Sequence, residues 1–174
     1  MTATASWFHV SVKTMSRSAG RSVVAAAAYR LGTELHEQEV DQTHDYRRRS
    51  GVAVTFTCAP VDAPDWAHDP ERLWNAANAA EKRKNSTLAR EIELALPAAV
   101  SAEAREDIAR AVAQELVTRY GVVVSGAIHT PSREGDQRNH HAHLLFTTRR
   151  MEADGLGAKT RVLDAKASGP AEVI

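Results

Sequence analysis

Cysteine is almost absent. Cys58 is the only one in 174 residues, so no internal disulfide can form, and a reducing cytosol is the simplest setting for the chain. Aromatic residues are scarce, at 5%, which argues against a long groove of stacked bases of the single-strand-binding kind. Long apolar runs are missing too. No stretch approaches the roughly 20 apolar residues that span a bilayer, and the N-terminus shows no basic segment followed by an apolar core, so neither a membrane segment nor a secretory signal is expected. The first 30 residues contain no acid, yet they hold Lys13, Arg17, Arg21 and Arg30.

The formal net charge of zero therefore hides an uneven distribution. Arg47, Arg48 and Arg49 form a second basic cluster, while Glu103, Glu106, Asp107 and Glu115 gather later, on a solvent-facing helix. A local basic surface can steer a polyanion even when the total charge is nil. The hydrophobic fraction of 43% and charged fraction of 25% are those of a folded globular domain, and the length suits one domain with a sizeable core.

Alternation and punctuation give the elements. FHVSVKTM (8–15) and GVAVTFTCAP (51–60) read as strands. Ser22 caps a helix over 23–31 that Gly32 ends; residues 33–51 are polar, irregular or a short ribbon. Asp69 and Pro70 start a helix running to about 84. REIELALP (90–97) alternates strictly, with Ile92, Leu94 and Leu96 on one face and Glu91, Glu93 and Ala95 on the other. Ser101 caps a helix over 102–120 whose stripe of Ile108, Val112, Leu116 and Tyr120 faces the core. Strands follow at 122–130 and 140–151. The expected architecture is α+β: a mostly antiparallel central sheet with helices packed on one face, a two-layer sandwich. Residues 1–151 form the domain; residues 152–174 show no period and read as an irregular tail leading to further domains.

The second half holds the chemistry. RNHHAHLLFTTRR (138–150) places His140, His141 and His143 at the head of an apolar strand. Side chains alternate along a strand, so His141 and His143 share a face and His140 points to the other. Folding the preceding connection about Gly135 sets His129 across from His141. Opposed residues of an antiparallel pair have Cβ atoms roughly 4.5–5.5 Å apart, so His129, His141 and His143 converge. Three neutral imidazoles suit one divalent ion with open positions for substrate. If the 90–97 strand lies beside them, Glu91 or Glu93 is placed to orient a ligating imidazole.

Of the three tyrosines, Tyr120 falls on an apolar stripe and Tyr46 sits beside the Arg47–Arg49 cluster. Tyr29 points away from the Val24, Ala27, Ala28, Leu31 stripe of its alanine-rich helix, with room around it for a ligand.

SRSAGRSVVAAAAYRLG, LAREIELALP, AIHT and NHHAHLLFTTR, in that order, resemble the relaxase domain of MobA/MobL-type conjugative mobilisation proteins, which are His-hydrophobe-His endonucleases. The similarity runs from about Trp7 to Arg150; the triplet here is His141-Ala142-His143. The family usually has proline where this chain has His140, which makes His140 a spectator. The resemblance implies that Tyr29 is the nucleophile that nicks one strand at a plasmid origin of transfer through a 5′-phosphotyrosyl link. It implies one divalent metal on His129, His141 and His143 (Mn or Mg first, with Zn, Co or Ni as the other options), assisted by Glu93 or Glu91. DNA contacts fall to Lys13, Arg17, Arg21, Arg30, Arg47, Arg48 and Arg49, with Ser16, Ser18 and Ser22 adding neutral phosphate contacts. The implied partners are single-stranded or hairpin origin DNA and other relaxosome and coupling proteins, for a cytoplasmic, plasmid-encoded monomer that can enter the recipient cell attached to DNA. Three other readings stand beside this one: a metal-dependent nuclease that uses water, a DNA-binding autorepressor without catalysis, and a rolling-circle replication initiator.

Overall fold

The computed structural model describes residues 9–164. Phe8 at the head of the first expected strand, and the tail beyond 164, lie outside the described residues. The chain forms β1 (Val10–Ser16), α1 (Val23–Leu31), the ribbon β2 (Glu34–Glu37) and β3 (Gln42–Asp45), then β4 (Val52–Cys58), α2 (Pro70–Ala80) and β5 (Thr87–Leu96). There follow α3 (Ala102–Tyr120), β6 (Val124–His129), β7 (His140–Thr147) and the small hairpin β8 (Arg149–Glu152) and β9 (Gly155–Lys159). Five strands make one antiparallel sheet in the order β1-β5-β7-β6-β4. The α+β class and the antiparallel sheet are as expected.

The local signals explain where the helices begin and end. Ser22 accepts from the Ala25 amide, Asp69 from Glu71 and Arg72, and Ser101 from Ala104, each satisfying an amide that the first helical turn leaves unpaired. Gly32 ends α1 in the left-handed region at φ 59°, and a Cβ there would meet Val52 Cγ2 at 3.0 Å, so both backbone and space call for glycine. The helix expected to reach about residue 84 stops at Ala80. Glu81 turns inward instead, buried against Arg149 at 2.6 Å and Lys159 at 2.6 Å.

The layering differs from the expected single covered face. The even-numbered side chains of the central strands (Ile92, Leu94, Leu96, Leu144, Phe146, Val124 and Ile128) pack under α3. The odd-numbered side of the sheet, through Ala89, Val123 and Leu145, packs under Val24, Ala27 and Ala28 of α1 and Leu73, Trp74 and Ala77 of α2. The sheet is thus covered on both faces. The sequence mark of this is the unbroken apolar runs Val122–Val124 and Leu144–Phe146, since a strand buried on both sides need not alternate. Beyond 152, where no period is visible, β9 completes a hairpin and Leu163 enters the α3-side core. Arg90, itself buried, fastens this segment by donating to Thr160 at 3.0 Å and pairing with Asp164.

Candidate active site

All the chemistry lies on the odd-numbered face, at the end of the sheet overhung by the C-terminal turn of α1. The β6–β7 register puts His129 opposite His141 and Ala127 opposite His143. The β5–β7 register puts Glu93 opposite His143 and Glu91 opposite Leu145. His129, His141 and His143 therefore converge as the hairpin symmetry predicts, with ring centroids 4.5–5.2 Å apart and a ligand atom of each within 4.8 Å of the others. His140 lies on the opposite face, as parity requires.

The ring nitrogens are sorted for metal binding. His129 Nε2 donates to the Arg30 carbonyl at 2.8 Å, one of the carbonyls that the end of α1 leaves free. This leaves His129 Nδ1 buried with no partner among the described residues. His141 Nδ1 lies 3.3 Å from the Asn139 carbonyl. His143 turns Nδ1 toward Glu91 Oε2 at 3.4 Å, long for a hydrogen bond. One nitrogen of each ring is thus held by an oxygen or aimed at one, and the other is left for an ion, the arrangement that fixes tautomer and orientation in metal sites. Burial brings the His129 pKa down to about 4, and burial also lowers that of His141. Both shifts favour the neutral ring, the form that ligates. The donor set fits a divalent ion.

Glu91 and Glu93 do not simply face water. Glu91 is 4% exposed and holds the Arg30 guanidinium through two contacts. Burial pushes its carboxyl upward, but the His143 and Arg30 contacts outweigh that and hold its pKa at about 2. Glu93, more open, pairs with Lys13 at 2.9 Å. With His143 these carboxylates form a second cluster of metal-ligating type, but both are already balanced by cations, so the three imidazoles make the better site.

Tyr29 is 46% exposed on the last turn of α1, one residue before Arg30, whose carbonyl takes the His129 Nε2 proton. Its ring meets Tyr46 edge-on at 5.3 Å, and the Arg49 guanidinium lies over it at 4.2 Å from the centroid. Sequence reasoning had no means of finding these two contacts, because they join α1 to a turn beyond the β2–β3 ribbon. The ribbon also secures the other end of α1. Buried Glu37 accepts from Ser22 Oγ at 2.6 Å and pairs with His44 at 2.7 Å.

The expected DNA-contacting cations divide into two groups. Lys13 and Arg30 serve Glu93 and Glu91. Arg17 is held by Glu39 at 3.0 Å and by the carbonyls of Asn78 and Glu81, beside the start of β5. Arg47 pairs with Asp45 and Glu34. Arg21, Arg48 and Arg49 make no ion pair among the described residues. Ser16 and Ser18 bond each other at 3.1 Å, and Ser22 is occupied as cap and donor.

Comparison with known proteins agrees with this architecture. The MobA/MobL family model matches residues 21–172. The chain is 35% identical to the mobilization protein MobL of Acidithiobacillus ferridurans, over 90% of this chain and 47% of that protein. It is 32% identical to the conjugal transfer protein TraA of Agrobacterium fabrum, over 87% of this chain and 14% of that one. The chain thus spans about half the length of the first relative and much less of the second. A solved structure from work on the molecular basis of vancomycin resistance transfer in Staphylococcus aureus superposes with a TM-score of 0.84 at 27% identity, covering 97% of this chain and 87% of that one. With a match that takes in α1, the histidine hairpin and the sheet between them, the chain belongs to the MobA/MobL family.

Proposed function

We propose that this domain is a relaxase: a strand-specific DNA transesterase that nicks origin-of-transfer DNA and keeps the 5′ end on Tyr29. The observation that carries this reading is the single exposed phenol beside three converging imidazoles, each with one nitrogen free. Tyr29 Oη forms a bond to the scissile phosphorus as the bond from phosphorus to the 3′-oxygen breaks. The phenolic proton is lost from Oη to solvent and the leaving 3′-oxygen takes one up from solvent, so protons balance and no water is consumed. The phosphodiester becomes a phosphotyrosyl ester of similar energy, and a later 3′-hydroxyl can reverse the step and reseal the strand.

A free phenol has a pKa of about 10, so the site must assist it. When bound, a divalent ion (Mn or Mg, with Zn, Co or Ni suited to the same nitrogens) supplies positive charge toward the phosphate and the leaving oxygen. His129, His141 and His143 hold it. Glu91 acts on His143 as a positioning residue, its carboxylate held by the Arg30 guanidinium and facing His143 Nδ1. Glu93 sits nearer solvent, balanced by Lys13. Arg21, Arg48 and Arg49, unengaged by carboxylates, are the cations best placed to meet DNA phosphates. Such an enzyme acts in the cytoplasm on single-stranded or hairpin origin DNA, together with relaxosome and coupling proteins encoded alongside it. Among the described residues no helix is long and apolar enough to cross a membrane.

The test is direct. Wild-type protein, Mn²⁺ and labelled single strands from the plasmid origin are mixed and run on a denaturing gel. A denaturation-resistant protein–DNA band supports the proposal. Cleavage without such a band means a water-using nuclease; binding without cleavage means a repressor.

A further inference from the structure

The Arg49 guanidinium stands apart from the other cations near the site. Arg30 and Lys13 are neutralised by Glu91 and Glu93. Arg49 makes no ion pair among the described residues, although it is half-buried. Its guanidinium lies over the Tyr29 ring, 4.2 Å from the centroid, and its Nη1 is 3.4 Å from His129 Nε2. That second contact does not consume a donor. His129 Nε2 already gives its proton to the Arg30 carbonyl, so it has no lone pair to offer, and two N–H groups cannot bond each other. Arg49 is thus fixed in place by stacking, with its side-chain N–H donors unspent among the described residues.

The turn that carries it is itself anchored. The Tyr46 amide donates to the Thr33 carbonyl at 3.0 Å, just past the end of α1, and the Arg49 amide donates to the Tyr46 carbonyl at 3.0 Å. Tyr46 then packs edge-to-face with Tyr29 while Arg49 lies over the Tyr29 ring. A partly desolvated charge with no counterion is costly unless an anion arrives to meet it. A planar fork of donors suits two oxygens of one phosphate.

We propose that Arg49 is a catalytic residue of the transfer step: it binds the non-bridging oxygens of the scissile phosphate, offsets the charge that grows there, and with Tyr46 holds the Tyr29 ring for attack. The inference rests on the reading of Tyr29 as nucleophile. The bond changes are those given above; Arg49 stays protonated throughout and exchanges no atom.

The experiment uses charge removal on both partners. Covalent capture by the wild-type protein with Mn²⁺, from a library of single strands with a randomised core, yields a cognate oligonucleotide. This is then made with either a normal phosphodiester or a neutral methylphosphonate at the scissile position. Arg49→Ala should lower single-turnover adduct formation on the phosphodiester by about 10²–10³-fold, the effect of losing one donor to a developing oxyanion. Affinity for uncut DNA should change by less than about tenfold, because other phosphate contacts remain. On the methylphosphonate strand the deficit of Arg49→Ala should shrink to a few-fold, since a neutral methyl replaces one anionic non-bridging oxygen and less charge is left to offset.

An equal deficit on both strands, in protein whose thermal unfolding is unchanged, overturns the proposal and leaves Arg49 a structural prop; so does an undiminished rate on the phosphodiester. Should Arg49→Ala fail to fold, Arg49→Gln, which removes the charge but keeps part of the stem and an amide donor, is held to the same two comparisons. Absence of any wild-type adduct across the library refutes the nucleophile reading instead, and this inference with it.

Discussion

Alternate residues of β7 live in two different environments. Ala142, Leu144 and Phe146 are wholly buried under α3 in a continuous apolar layer. On the other face Leu145 is equally buried beneath α1 and α2, but His143 and His141, two and four residues earlier, emerge past the end of α1. One strand thus holds the core with one parity and presents ligands with the other. Stability and chemistry should separate by residue parity over a few ångströms. Because sheet and helices on both sides fix the strand, the ligands sit on rigid backbone.

Four substitutions test that separation, taken in order of effect. Tyr29→Phe removes one oxygen from an exposed ring and should abolish the covalent DNA adduct, at least ~10³-fold on a denaturing gel, while the unfolding temperature holds. Phe146→Ala, on the α3 face, should cost ~3–5 kcal/mol in denaturant unfolding, yet leave metal affinity of the folded protein unchanged. His143→Ala, three residues away with the other parity, should do the reverse. Calorimetric metal affinity should fall by more than the ~10–100-fold that losing an outer partner costs, and unfolding of the metal-free protein should move by under ~1 kcal/mol. Ser22→Ala, at the start of the nucleophile's helix, should cost about 1 kcal/mol of stability, visible as an earlier urea midpoint.

Glu91 is where the separation breaks down, and it sharpens the comparison. It lies on the ligand face but is buried, and it serves both His143 and Arg30. Glu91→Gln should lower metal affinity ~10–100-fold, as read by calorimetry, and also lower the unfolding midpoint, because Arg30 loses its counter-charge in a partly buried setting. An effect on one quantity alone would place Glu91 in one region and not both.

The sequence made some of this legible because the information is local. A hairpin closing on Gly135 sets its own register, so the pairing of His129 with His141 and the exclusion of His140 follow from counting residues. Caps at Ser22, Asp69 and Ser101 act within three residues of themselves. What escaped notice is long-range. Arg30 meets Glu91 and Lys13 meets Glu93 across separations of 61 and 80 residues, and Arg17 meets Glu39, so no inspection of the basic N-terminal segment reveals that three of its four cations are already paired. The same holds for Arg49, which looks like its neighbours Arg47 and Arg48 in the sequence but lies over the nucleophile. The second covered face was written in unbroken apolar runs, which alternation-based reading undervalues, and Ala80 ended its helix because Glu81 had cations to meet from β8 and β9.

The central claim is that Tyr29 takes the phosphate. Digestion and mass spectrometry of the protein after reaction with origin DNA, in the presence of Mn²⁺, locates the modified residue. The account predicts a nucleotide-bearing peptide with the phosphate on Tyr29 and none on Tyr46 or Tyr120. Phosphate on Tyr46, or cleaved DNA with every tyrosine unmodified, would contradict it.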